Sequence, residues 1–251
     1  MSYAMTHLII AAMFAENVSV GNRDLFLLGS IAPDSVHSRA DFTKRLKARA
    51  HYLQEEENWG EVYEEAPMIK WYDMLKAFYR EKSRLAADAE TEAFLKGYTL
   101  HILTDIFNCC KFYAPSWMKF GLDRVDEFRK VYRSECILQD NWLYQTNPKS
   151  AEITQAISRA AEAFDLAAIL ARLGLDKFMT VDNIRDVVAY HLKNYEQASP
   201  VSLEGLNFVS ERASHSFISE VEAECESLLF ALPEVGRRFK TAPAHRTEKE
   251  L

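Results

Sequence analysis

Glycine and proline are scarce, at eight and seven in 251 residues. Turns draw on both, so a fold of many short strands is excluded in favour of long helices. Cysteine is also sparse. Cys109, Cys110, Cys136 and Cys225 contain no C-x-x-C spacing, and adjacent cysteines rarely bridge, so reduced thiols are expected. No apolar run reaches the roughly 18 residues that a membrane span needs. The first twenty residues lack a basic n-region and carry Glu16 and Asn17 where a leader would be cut. The expectation is a cytoplasmic protein. Positive charge is in deficit, with 30 Lys and Arg against 37 Asp and Glu, a formal net charge of −7. That argues against bulk binding to nucleic acid and leaves local basic patches for phosphate.

What is present is helical periodicity. His7–Ala15 is apolar almost all round and predicts a buried helix, with Thr6 as its N-cap. Asn22 caps a second helix, Arg23–Ser30, which Pro33 ends, leaving Asp34 at a turn. A basic stretch follows and turns helical towards His51. Further helices are predicted from Pro67 to about Arg84, from Thr91 to about Phe112 with Pro115 as its stop, and over 122–138. The Ala-rich 151–173 reads as one or two helices closed by Gly174. Then come 181–197 with Asp182 as cap, and one long helix over 203–232 ended by Pro233. This gives an all-α fold of about eight to ten helices. Residues 1–236 form a single helical domain, with a metal-bearing half over about 1–140 and a helical cover over about 150–236. The tail 237–251 is polar and reads as disordered.

The helix around His101 carries the chemistry. His101 and Asp105 are four apart, so they share a face and can grip one ion from a rigid rod. Gly97, one turn earlier on that face, costs about 1 kcal/mol in a helix and so marks close approach of something to the backbone. A core histidine hydrogen-bonded to Asp105 is the plain alternative. His7, Asp34 and His51 bring the residues of suitable type in the first 105 to five. Two imidazoles and two carboxylates make a full N/O shell for zinc, and suit manganese or iron too. Asp34, on an adaptable turn, is the candidate to orient or deprotonate a water.

The contexts Thr6-His7, Gly29-Ser30-Ile31-Ala32-Pro33-Asp34, Ala50-His51-Tyr52 and Gly97-x-x-x-His101-x-x-x-Asp105 resemble the bacterial zinc-dependent phospholipase C family, a distant relative of the single-strand-specific zinc nucleases. The resemblance covers roughly residues 5–110. It implies an all-helical metallo-phosphoesterase. Asp34, His51, His101 and Asp105 would be ligands of one zinc, and Asp105 would bridge to a second zinc that His7 also ligates. The chain departs from the pattern in places. Lys111 stands where the family has a further His, and the later His-x-x-x-Glu pair is missing; His191 and Glu196 echo it at a spacing of five. One or two zinc ions are therefore expected, not three. The expected function is hydrolysis of a phosphodiester or phosphomonoester, the substrate being a small phosphoester or a phospholipid headgroup.

Weaker candidates for binding substrate are His37, Arg39, Arg45 and Lys111. Lys44, Lys47 and Arg49 belong to the same basic stretch, of which one or two residues are expected to face the site, a solvated face being the default. Lys111 could supply a cation's charge through its ammonium; otherwise it faces solvent. His191, His215 and His245 are read as structural or exposed. The rival class is a helical protein in which the same residues hold a structural metal or form a buried polar network. A His-Asp phosphohydrolase needs an adjacent His-Asp pair, and none occurs.

Overall fold

The computed structural model describes residues 3–53 and 65–230, and every element in them is helical. The acidic stretch 55–64, Pro233 and the tail lie outside the described residues. Among the described residues there are eleven α-helices, slightly more than expected. They are α1 Ala4–Asn17, α2 Arg23–Gly29, α3 Lys44–Ala50, α4 Glu65–Ser83, α5 Ala89–Asn108, α6 Ala114–Phe120, α7 Val125–Thr146, α8 Ser150–Ala163, α9 Leu166–Leu173, α10 Val181–Gln197 and α11 Glu211–Phe230. A 3₁₀ segment, Ala32–Ser38, follows α2, and a π-helical turn, Cys109–Tyr113, joins α5 to α6. Buried apolar residues from Ala4 to Cys225 form one continuous core. No described helix is long and apolar enough to cross a membrane.

Helix α5 is the axis. From Thr91 to Asn108 it is buried on every side except at Glu92 and Lys96. Its closest partner is α2. A Cβ on Gly97 would run into the Phe26 carbonyl and lie 2.9 Å from Ser30 N, and one on Gly29 would lie 3.1 Å from Tyr98 N. The two glycines let the backbones touch, which is the close approach that Gly97 announces.

Several boundaries differ from the sequence reading. Helix α1 begins at Ala4, and Thr6 is not its cap. The Met5 amide donates instead to Asp140 Oδ1 at 2.6 Å, so α7 supplies the cap from 135 residues away. Asp34 lies in the 3₁₀ segment rather than an open turn. Pro115 does not end the helical rod. It sits in the first turn of α6, where a missing amide costs little, directly after the wide π turn. The cap of α10 is Thr180, in a capping box with Asn183, and Asp182 is only an acid in the first turn. Residues 203–210 are not helical, and α11 starts at Glu211. The cause is Glu135, a buried carboxylate on α7 that accepts the amides of Asn207 and Phe208 at 2.8 Å and Val209 at 3.3 Å. A helix would have claimed those donors itself.

Candidate metal centre

Each ligand candidate is placed by a local device. Asn22 caps α2 by accepting from Leu25 N, and the helix ends so that the Ser30 carbonyl accepts His101 Nδ1–H at 2.8 Å. Thr43 caps α3, which ends at His51. There the chain turns through Tyr52, a non-glycine residue at φ 55°, with Leu53 N donating to Ala48 O and Tyr52 N to Arg49 O. This is a Schellman ending, held in place by outside donors. Trp71 Nε1 binds the His51 carbonyl at 2.8 Å, and the Tyr98 hydroxyl binds the Ala50 carbonyl. His51 Nδ1–H donates to the Lys47 carbonyl at 2.9 Å. Asp140 also accepts the Tyr195 hydroxyl at 2.8 Å, tying the start of α1, and so His7, to α7 and α10.

These devices converge on one cluster. His51 Nε2 lies 3.3 Å from Asp34 Oδ1, 3.7 Å from Asp105 Oδ2 and 3.2 Å from His101 Nε2. His101 Nε2 lies 3.8 Å from Asp105 Oδ2 and 4.0 Å from Asp34 Oδ2. Ligands about 2.1 Å from a tetrahedral zinc stand roughly 3.4 Å from each other. The separations here straddle that value. The other Asp105 oxygen, Oδ1, lies 3.6 Å from His7 Nε2, and the His7 ring stacks on that of His101 at 3.9 Å. Two donor groups result, sharing His101: Asp34, His51 and His101 form one, and His7, His101 and Asp105 the other.

The electrostatics of the cluster follow from its burial and its hydrogen bonds. Both Nδ1 atoms face carbonyls, which only accept, so Nδ1 carries the proton in each ring. Burial pushes His101 down to about 3, with His7 beside it adding to the effect, and burial likewise lowers His51. Both rings are therefore neutral near pH 7, and each Nε2 is a bare lone pair. Those two lone pairs point at each other and at carboxylate oxygens. Asp105, 1% exposed, resists ionisation through burial, yet His7 beside it holds its carboxyl below the usual carboxylate range. Asp34 is buried enough to resist ionisation, but the Lys47 ammonium holds it well below that range.

Buried polar atoms of the cluster itself lack hydrogen-bond partners, namely both nitrogens of His7 and both oxygens of Asp105. Leaving a buried carboxylate unpaired costs several kcal/mol, whereas coordinating a cation satisfies it. By this measure the residues present fit a divalent metal.

The cluster has one open edge. His7, His51, His101 and Asp105 are sealed, while the side chains of Asp34 and His37 are 27% and 42% exposed. Lys47 stands behind that edge, 4% exposed, its Nζ 2.8 Å from Asp34 Oδ1 and 3.0 Å from His37 Nε2.

Of the weaker candidates, only His37 joins the cluster. Arg39 is committed to Asp41 at 2.7 Å and to the Phe178 carbonyl at 3.1 Å. Arg45 is exposed on α3. Lys111 turns away to α11, 2.7 Å from Glu220 and 3.3 Å from Glu224, because the π turn reorients the chain after Asn108. It therefore replaces no cation at the site.

Two contributors escaped sequence reasoning. Lys47 is one charge among many in a basic stretch, although its i, i+4 spacing to His51 is a usable signal. Asp140 leaves none. His191, read as structural or exposed, packs its ring against Tyr190 and Tyr195, and burial brings its pKa down to about 4. No family model, no curated protein and no solved structure matches this chain.

Proposed function

We propose that the protein is a metal-dependent hydrolase of phosphoesters, as its resemblance to the zinc-dependent phospholipases C implies. The observation that carries this reading is the convergence of two proton-locked imidazoles and two carboxylates at the spacing of ligand atoms. Asp34, His51, His101 and Asp105 would hold one ion, and His7 with Asp105 Oδ1 would contribute to a second. Zinc suits the N/O donor set, as do manganese and iron. A divalent ion held there lowers the pKa of a coordinated water to near 7 and polarises a phosphoryl oxygen.

The remaining work falls to the chain. Asp34, the one carboxylate at the open edge, accepts the proton of the attacking water. Ser30 and Lys47, through their carbonyls, keep the two imidazoles in the tautomer that presents Nε2. The sealed faces of His7, His101 and Asp105 exclude bulk water from the inner side. Two carboxylates and one buried ammonium leave the cluster one negative charge, which a divalent ion inverts, favouring an anionic substrate. The exposed Asp34–His37 edge favours a catalytic over a structural site, since structural zinc is closed on all sides.

The test is elemental mass spectrometry of the purified protein beside His101→Ala and Asp105→Ala. One or two zinc or manganese ions per chain are expected, with both variants depleted. Nitrophenyl phosphate mono- and diesters then report hydrolysis in the wild type. A folded wild type that neither holds nor takes up metal would sink the reading.

A further inference from the structure

The open edge of the cluster pairs an acceptor with two nitrogen groups. Asp34 Oδ1 is shared, 2.8 Å from Lys47 Nζ, 3.3 Å from His51 Nε2 and 3.4 Å from His37 Nε2, while Oδ2 faces His101 Nε2 at 4.0 Å. Lys47 Nζ in turn donates to His37 Nε2 at 3.0 Å, which leaves the N–H of that ring on Nδ1, and the His37 side chain is 42% exposed. An anion arriving from solvent meets His37 first and Lys47 next, beside the donors that would hold a metal. A buried ammonium next to such a site is unusual, because two cations sharing one carboxylate repel. It becomes favourable when an anion sits between them.

We propose that Lys47 and His37 form an oxyanion subsite for a phosphoryl group, coupled through Asp34 to the cation site, so that phosphate and divalent metal each tighten the other's binding. The proposal rests on the metal reading above and adds the group that recognises the substrate's phosphate. Without a cation, the Asp34 carboxylate offsets Lys47, and little positive charge is left for an anion. Once Asp34 divides its charge between Lys47 and a divalent ion, the ammonium regains attraction for a second anion. A tetrahedral phosphoryl group offers separate oxygens to the ion and to Lys47 at once, and a third to the Nδ1–H of the half-exposed His37 ring. Coupling between two ligands is reciprocal, so the effect of phosphate can be read in the affinity for metal.

The experiment measures zinc affinity by competition with a chromogenic chelator, with inorganic phosphate or with chloride at equal ionic strength. Wild type, Lys47→Met and His37→Ala are compared, so that complexation of zinc by free phosphate cancels between proteins. Phosphate is expected to tighten zinc binding to the wild type about tenfold or more. Lys47→Met, which removes the competing cation from Asp34, is expected to bind zinc at least as tightly as wild type in chloride and to lose most of the phosphate gain. His37→Ala, at an exposed position, is expected to fold normally and lose part of the gain.

An equal phosphate gain in all three proteins would overturn the subsite, since the metal alone would then hold the anion. So would a wild type indifferent to phosphate, or a folded Lys47→Met that no longer binds zinc, because Lys47 would then be building the site. If Lys47→Met does not fold, an unchanged gain in His37→Ala overturns the proposal and a reduced one sustains it. A wild type that takes up no zinc in either salt overturns both this inference and the hydrolase reading.

Discussion

Gly97→Ala is expected to destabilise the protein by about 3 kcal/mol or more, at the upper end of what overpacking a core costs. The added methyl would meet backbone on every side: the Phe26 carbonyl, Ser30 N at 2.9 Å and Phe26 C at 3.0 Å. A flexible side chain could swing away, but the backbone of α2 can yield only by moving the whole helix. The helix propensity gained by replacing glycine, about 1 kcal/mol, offsets part of this and does not reverse it. For a chain of this size the loss corresponds to a fall in Tm of roughly 10 °C.

The effect reaches the site. Moving α2 draws the Ser30 carbonyl away from His101 Nδ1 and frees the ring to choose the other tautomer. Metal affinity should therefore fall along with stability. Thermal unfolding in chelator, beside the exposed neighbour Glu92→Ala, is the check, and the control should stay within about 0.5 kcal/mol of wild type. A Gly97→Ala protein as stable as the control would show that α2 and α5 do not touch.

The second large effect is acid destabilisation of the metal-free protein. His101 titrates at about 3 in the folded state against 6.5 unfolded, and His51 and His191 are displaced in the same direction, in each case chiefly by burial. The unfolded chain therefore binds protons that the native state refuses. Stability is complete above pH 6.5 and falls as the pH drops towards the folded values. Asp140 opposes this. Burial raises its carboxyl from 3.8 to about 6, so between those values the native state holds the extra proton and gains stability on acidification.

From pH 7 to pH 5, His101 alone removes about 2 kcal/mol, while Asp140 returns somewhat over 1 kcal/mol. With His51 and His191 on the losing side, the net expectation is a loss of about 2 kcal/mol, or about 1 M in the urea midpoint. Asp140→Asn should steepen the loss, because the opposing group is gone. Urea unfolding at the two pH values, in chelator, decides the matter. Stability that holds steady or rises on acidification would mean that the imidazoles are not buried as neutral rings.

Much of the fold is legible along the chain because its causes are local. The buried character of α1 follows from apolar residues on all its sides, and the starts of α2 and α9 follow from Asn22 and Asp165, whose side chains accept amides three residues on. Gly174 closes α9 in the left-handed conformation that glycine tolerates. Where the reading failed, the missing partner was distant. Thr6 looks like a cap because nothing near it announces that Asp140 will reach Met5. Residues 203–210 continue a helical pattern, and Glu135, some seventy residues earlier, takes the amides of Asn207, Phe208 and Val209.

The candidate site divides in the same way. That His101 and Asp105 share a face, that Gly97 lies against a neighbour, and that residues of ligand type are concentrated before residue 106 all follow from helix geometry and residue chemistry. The convergence of Nε2 atoms, the carbonyls that set their tautomers, and the sorting of the basic stretch into Lys47 at the site and Arg39 away from it do not. Those depend on side-chain directions between elements, across contacts as much as 71 and 139 residues apart, where a shift of one turn exchanges a ligand for a surface charge. Helical periodicity is written within a few residues, whereas coordination geometry is written between helices.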